Sequence, residues 1–110
     1  MSIFSAVKDF LNVSGGNINE GIEAARETKD AVLLDVRTRE EYAGGHVPGS
    51  KNIPLDRIGS ISLEKNKPLF VYCHSGARSR QACSVLKQKG YEVYNIGGIS
   101  SYRGKLERGA

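Results

Sequence analysis

Apolar residues fall into two kinds of block along this chain. Residues 31–36 (Ala-Val-Leu-Leu-Asp-Val) and 69–72 (Leu-Phe-Val-Tyr) are short, nearly continuous apolar runs bounded by polar residues. That is the pattern of strands covered on both faces. Residues 18–27 place Ile22 and Ala25 at helical spacing and predict a helix. Residues 79–89 predict another. Ala82 and Leu86 sit at the centre of its apolar face, with Cys83 and Val85 at the edges and Arg80, Ser84, Lys87 and Gln88 opposite. Gly90 supplies its stop. Shorter patterns predict a helical turn over 39–43, a strand over 51–53 ending at Pro54, a last strand over 92–96 and a final short helix over 100–108. Alternating strands and helices imply an α/β domain with a mainly parallel sheet. Ligand sites in such sheets lie at the carboxyl ends of the strands. Asp35-Val36-Arg37 and Cys73 both fall at such ends, so two separate parts of the sequence point to one edge.

Composition narrows the class. The 110 residues, 39% hydrophobic and 25% charged, suit a single globular domain over 1–110 that folds without staples. There is no internal repeat, low-complexity tract or long linker. No apolar run reaches membrane-spanning length. The first eleven residues are broken by Lys8 and Asp9 and lack a basic lead, a poor match to a signal peptide. With two cysteines, a reduced, cytoplasmic protein is expected. Ile3, Phe4, Val7, Phe10 and Leu11 have helical spacing within an N-terminal extension over 1–14; it either packs on the domain as a short helix or docks a partner. The net charge of +4 is unevenly spread. Residues 1–63 carry seven Lys/Arg against nine Asp/Glu, whereas residues 64–110 carry nine against three. The cationic half holds Cys73, so a small anionic substrate is drawn to it. No Lys/Arg stripe with interleaved aromatics appears, so neither nucleic acid nor membrane is expected as a partner.

The chemistry centres on residues 69–79 (Leu-Phe-Val-Tyr-Cys-His-Ser-Gly-Ala-Arg-Ser). A strand ends in Cys73, a polar loop with Gly76 follows, Arg78 stands five positions after the cysteine, and the helical pattern begins at about Ser79. Loop N–H groups and the helix dipole favour negative charge there, so Cys73 is expected to be a thiolate and a nucleophile rather than a small core residue. Cys83 reads as a packing residue, with a resolving thiol as the alternative. His74 is balanced between substrate contact and exposure, and His46 reads as a structural hydrogen-bonding residue. Arg37 and Arg39 are each balanced between salt bridge and substrate contact. Two histidines and two cysteines without paired ligand spacing predict no metal site, and no cofactor is expected.

Together these blocks resemble the rhodanese family of sulfurtransferases, over about residues 18–104. The resemblance rests on Leu34-Asp35-Val36-Arg37-Thr38-Arg39-Glu40-Glu41-Tyr42, on Gly45-His46-Val47-Pro48-Gly49-Ser50-Lys51-Asn52-Ile53-Pro54, on Cys73-His74-Ser75-Gly76-Ala77-Arg78-Ser79 and on Tyr94-Asn95-Ile96-Gly97-Gly98-Ile99. It implies a mainly parallel sheet of four to five strands flanked by helices on both faces. The first family strand is barely legible in residues 14–18, and Tyr102 stands where the family often has tryptophan, so an aromatic should pack there.

The implied activity is that of a thiosulfate sulfurtransferase. Cys73 takes sulfur from thiosulfate, polysulfide or a persulfide, becomes a persulfide, and yields the sulfur to a thiophilic acceptor; a protein can stand on either side of that exchange. The N–H groups of His74, Ser75, Gly76, Ala77, Arg78 and Ser79 form the cradle, with Gly76 letting the loop turn. Arg78 is expected to bind the anionic donor, and Asp35 and Arg37 to brace the loop. Phosphatases of related fold have Cys-x5-Arg loops, one residue longer than this Cys-x4-Arg. A phosphatase or arsenate reductase, and a non-catalytic interaction module, are the competing readings.

Overall fold

The computed structural model describes residues 17–110; the N-terminal extension over 1–14 and most of the stretch 14–18, where a first family strand is expected, lie outside them. The first described element, helix α1 (Ile18–Glu27), is fixed locally. Asn17 caps it, its side chain accepting the Glu20 N–H at 3.2 Å and donating to the Glu20 carboxylate. Such a cap contributes about 1 kcal/mol. Strand β1 (Val32–Asp35) follows, then helix α2 (Arg39–Gly44), strand β2 (Lys51–Asn52) and a 3-10 helix (Leu55–Ser60). Strand β3 (Leu69–Cys73), helix α3 (Ala77–Gln88), strand β4 (Val93–Gly98) and a short 3-10 turn (Ile99–Ser101) complete the order.

All strand pairs are parallel, in the order β2-β1-β3-β4. The two-residue period of the central strands divides the core. Leu33, Phe70, Tyr72, Tyr94 and Ile96 face α1, with Ile18 and Ile22 against them. Leu34, Val36, Leu69, Val71 and Cys73 face the other way, against Ala82 and Leu86 of α3 and Ile58 of the first 3-10 helix. Every residue of β3 is buried, which explains its unbroken apolar run. Tyr102 packs against the α1-side cluster, the aromatic contact expected there.

The ends of α3 differ from the sequence pattern in an informative way. The helix starts at Ala77 rather than 79, with Gly76 as its N-cap. At the other end Tyr91 N–H donates to Leu86 C=O (3.1 Å) and Gly90 N–H to Lys87 C=O (3.0 Å), a Schellman closure. β4 runs past Ile96 to Gly98 and contains a bulge, because Val71 pairs with Asn95 but Tyr72 with Gly97.

The helix expected over 100–108 does not form. After Ser101 the chain is irregular and returns to the loop after α2, where His46 and Glu107 exchange backbone hydrogen bonds of 2.8 and 2.9 Å. Gly109 N–H then donates to Ala43 C=O at 2.8 Å. Nonlocal pairing thus supplies backbone partners at Glu107 and Gly109 in place of a helix. Among the described residues, no helix is long and apolar enough to cross a membrane.

Candidate functional site

Cys73 closes β3 with only 1% of its surface exposed. Its sulfur is held by the start of α3. Gly76 N–H donates to Sγ at 2.9 Å, and the N–H groups of Ser75 and Ser79 add to the electrostatic support of its ionised form. No side chain caps α3, so Sγ takes the role that an N-cap oxygen has elsewhere, receiving N–H groups that the helix cannot use. Gly76 adopts the left-handed conformation (φ +104°, ψ −10°), which turns the loop sharply enough for this. Burial opposes ionisation of Cys73, but the Ser79 hydroxyl and the three N–H groups outweigh it, so its pKa lies below that of an ordinary thiol.

A polar cluster beneath the loop supports the sulfur. Ser79 Oγ lies 3.5 Å from Sγ, 3.0 Å from Gly76 O and 2.7 Å from Asn95 Oδ1. It has one proton to give. With a thiol, Sγ–H donates to Ser79 and Ser79 donates to Asn95; with a thiolate, the Ser79 proton turns toward sulfur. Asn95 is held ready by Gly97 N–H at 3.0 Å and itself donates to Gly76 O at 3.3 Å. The sequence did not single out Asn95 as a site residue; its only signal was its place ahead of Gly97-Gly98, and the bulge in β4 sets its position. A hydrogen bond to a charged group contributes about 1.5–3 kcal/mol, so Ser79→Ala should raise the midpoint of the Cys73 alkylation-rate profile by about 1 pH unit. An unmoved midpoint would remove Ser79 from the support of the thiolate.

Asp35 ends β1 beside β3 and is fully buried. Its carboxylate accepts Arg37 N–H (2.8 Å), Nε–H (3.0 and 3.1 Å) and an Nη2–H (2.7 Å). Arg37 also donates to Gly45 O at 2.7 Å. Asn52 Nδ2 bridges the Asp35 and Arg37 carbonyls at 3.0 Å each, a second contribution that the sequence left unmarked. The structure therefore resolves Arg37 as a salt-bridge partner. Arg39 is exposed and lines a different cleft, with Tyr42, Ser50 and Lys51. His46 is buried, stacked on Tyr42 with its Nδ1 2.8 Å from Tyr42 O, and so is structural. His74, Ser75 and Ala77 are exposed. Cys83 packs at the edge of the α3-side core, where burial and then the Cys73 charge push its pKa up to about 12. That leaves it almost wholly protonated and a poor resolving thiol.

Arg78 differs most from expectation. Instead of presenting a free guanidinium fork, it gives Nη1–H and Nη2–H to both oxygens of Glu41, at 2.7 and 2.9 Å. Glu41 is bound twice over, because it also closes the capping box of α2: its Oε1 accepts Thr38 N–H (3.0 Å) and its N–H donates to Thr38 Oγ (3.1 Å). The Arg78 hydrogen bonds, against desolvation and helped by Thr38, bring the Glu41 pKa down to about 2. A depressed carboxylate contributes stability above the ordinary glutamate pKa and loses it only as pH falls toward 2, so the pair is intact at any working pH.

The rhodanese-like domain family model matches residues 19–105. A sulfurtransferase of Allochromatium vinosum is 40% identical over 80 residues, covering 69% of this chain and 75% of that protein. The thiosulfate sulfurtransferase PspE of Escherichia coli is 42% identical over 71 residues, 60% of this chain and 68% of that one. The Bacillus subtilis protein YqhL is 37% identical over 83 residues, and this chain spans about two thirds (66%) of its length. Among solved structures, a rhodanese-like domain protein from Staphylococcus aureus superposes with a TM-score of 0.74 at 30% identity, covering 86% of this chain and 97% of that one.

Proposed function

Because the chain belongs to the rhodanese-like domain family, we propose that it is a sulfurtransferase carrying sulfane sulfur as a persulfide on Cys73. The observation that carries this reading is a buried Sγ that receives the Gly76 N–H at 2.9 Å, lies 3.5 Å from the Ser79 hydroxyl, and has its pKa lowered by these groups and the Ser75 and Ser79 N–H groups. Such a nest stabilises one negative charge, first on the thiolate and then on the outer persulfide sulfur. In the first step the Cys73 thiolate attacks the outer sulfur of thiosulfate. The new S–S bond takes the place of the S–S bond of the donor, whose electron pair leaves with sulfite, and Cys73 becomes a persulfide anion. In the second step an acceptor such as cyanide attacks the outer sulfur. Thiocyanate departs and the S–S electron pair returns to Cys73 as thiolate. No net proton transfer is needed with cyanide, so exposed His74 has no obligatory part as a base. A thiol or a protein thiolate can take the acceptor place by the same displacement, and polysulfide or a persulfide can take the donor place.

Asp35 and Arg37 hold β1 and the loop after it beside β3 and do not touch the sulfur. The Cys-x4-Arg loop is a residue shorter than a phosphatase loop and suits a single bound sulfur better than a phosphoryl group. The test is intact mass after incubation with thiosulfate or, separately, with benzenethiosulfonate. Wild type should gain sulfur that cyanide removes, and Cys73→Ser should gain none. Equal gain by both proteins, or no gain from either donor, would end this reading. Cys73-dependent hydrolysis of an aryl phosphate without sulfur uptake would put a phosphatase in its place.

A further inference from the structure

The Glu41–Arg78 pair lies between two clefts, one holding Glu41, Arg37 and His74 and the other holding Arg78, Thr38 and Asp56. It stands beside the sulfur loop: Arg78 follows by two residues Gly76, whose N–H meets Sγ, and His74, next to Cys73, lines the same cleft as Glu41. We propose that Glu41 determines donor specificity: by occupying the Arg78 fork it sets the site for donors bearing one negative charge and against the thiosulfate dianion. This rests on the sulfurtransferase reading given above.

The fork is the reason. A guanidinium recognises a sulfonate through the same two parallel N–H groups with which it recognises a carboxylate. Here both terminal nitrogens already face Glu41. A sulfonate must displace the carboxylate or bind beside it. Displacement is resisted because Glu41 Oε1 also holds Thr38 N–H at the start of α2. Binding beside it places two like charges together. The other arginine of the clefts gives no relief, since Arg37 is committed to Asp35 and Gly45. What remains to receive charge is the nest around Sγ, which suits the single charge of a persulfide or thiosulfonate.

Glu41→Gln tests this cleanly. Glutamine at this position completes a capping box as glutamate does, so α2 keeps its start while Arg78 is released. The Michaelis constant for thiosulfate should fall about tenfold, and that for the monoanion benzenethiosulfonate by about threefold at most. In an Arg78→Gln background the same Glu41→Gln change should improve thiosulfate by only about twofold, the remainder expected from removing a partly exposed charge. An equal gain with and without Arg78, or an unchanged preference between the donors, overturns the proposal. A second readout needs no sulfur chemistry. The ratio of Cys73 alkylation rates with iodoacetate and iodoacetamide should rise about threefold in Glu41→Gln, as for a monoanion. If that ratio rises while neither donor loads Cys73, the sulfurtransferase reading fails and the charge selection by Glu41 stands. If both donors load Cys73 while the donor preference and the alkylation ratio stay unchanged, only the role given to Glu41 fails.

Discussion

Gly98→Ala is expected to slow sulfur uptake on Cys73 about a hundredfold while leaving the protein folded. Gly98 ends β4 and pairs with Cys73 across the sheet. A Cβ built there would stand 2.2 Å from the His74 carbonyl oxygen and 2.7 Å from Ser75 Cα. Both are backbone atoms, so no side chain can rotate out of the way. Either the end of β4 or the loop must move, and β4 is held by its register with β3 while the loop has mostly exposed residues. Displacement of His74 and Ser75 withdraws the Ser75 N–H from Sγ and tilts Gly76. The thiolate loses support, and the outer sulfur loses its aligned path. Overpacking of this kind costs about 1–3 kcal/mol, too little to unfold a domain of ordinary stability. Thermal melting should therefore show a folded protein, while the Cys73 alkylation profile moves toward ~8.5, the value of a free thiol. Wild-type uptake with an unshifted profile would show that the loop tolerates the methyl group.

Asp35→Asn should have the opposite signature, a large loss of stability with the sulfur chemistry preserved in the folded protein. The substitution removes the charge that faces Arg37 but retains an oxygen for the Arg37 N–H. A buried guanidinium then keeps only the Gly45 carbonyl and the asparagine oxygen. Breaking one side of a buried pair costs about 3–5 kcal/mol. At roughly 4–8 °C per kcal/mol for a domain of this size, the melting temperature should fall by more than about 10 °C. Adding Arg37→Gln should recover part of the loss, because no uncompensated charge then remains. A melting temperature within about 2 °C of wild type would mean that the pair contributes little to stability, and loss of sulfur uptake in well-folded Asp35→Asn would make Asp35 part of the chemistry.

The elements that the sequence predicts well are those whose signal is local or whose burial is complete. α1 carries its own cap in Asn17 and Glu20, and β3 is apolar throughout because both of its faces are covered. Boundaries fail where a distant group supplies the missing partner. The apolar pattern starts α3 at residue 79, yet the helix begins two residues earlier because the Cys73 sulfur receives the first N–H groups. The residues after Ser101 have helical composition in part, but Glu107 pairs with His46 and Gly109 with Ala43 instead. The chemistry of a guanidinium and the family resemblance make Arg78 a donor-binding cation in the sequence. Its partner Glu41 lies 37 positions away, and only folding brings them together.

The sequence alone determined the setting of Cys73: a cysteine at the end of a buried strand, a glycine loop, and a helix start directed at the sulfur. Those properties follow from periodicity and from residue types a few positions apart. Tertiary structure decided what surrounds that sulfur. It put Asn95 beneath Ser79, Gly98 against the loop and Glu41 on Arg78, because each contact joins elements that only the β2-β1-β3-β4 order makes neighbours. Charge can be counted in a sequence, but whether a charge is free or taken depends on distance.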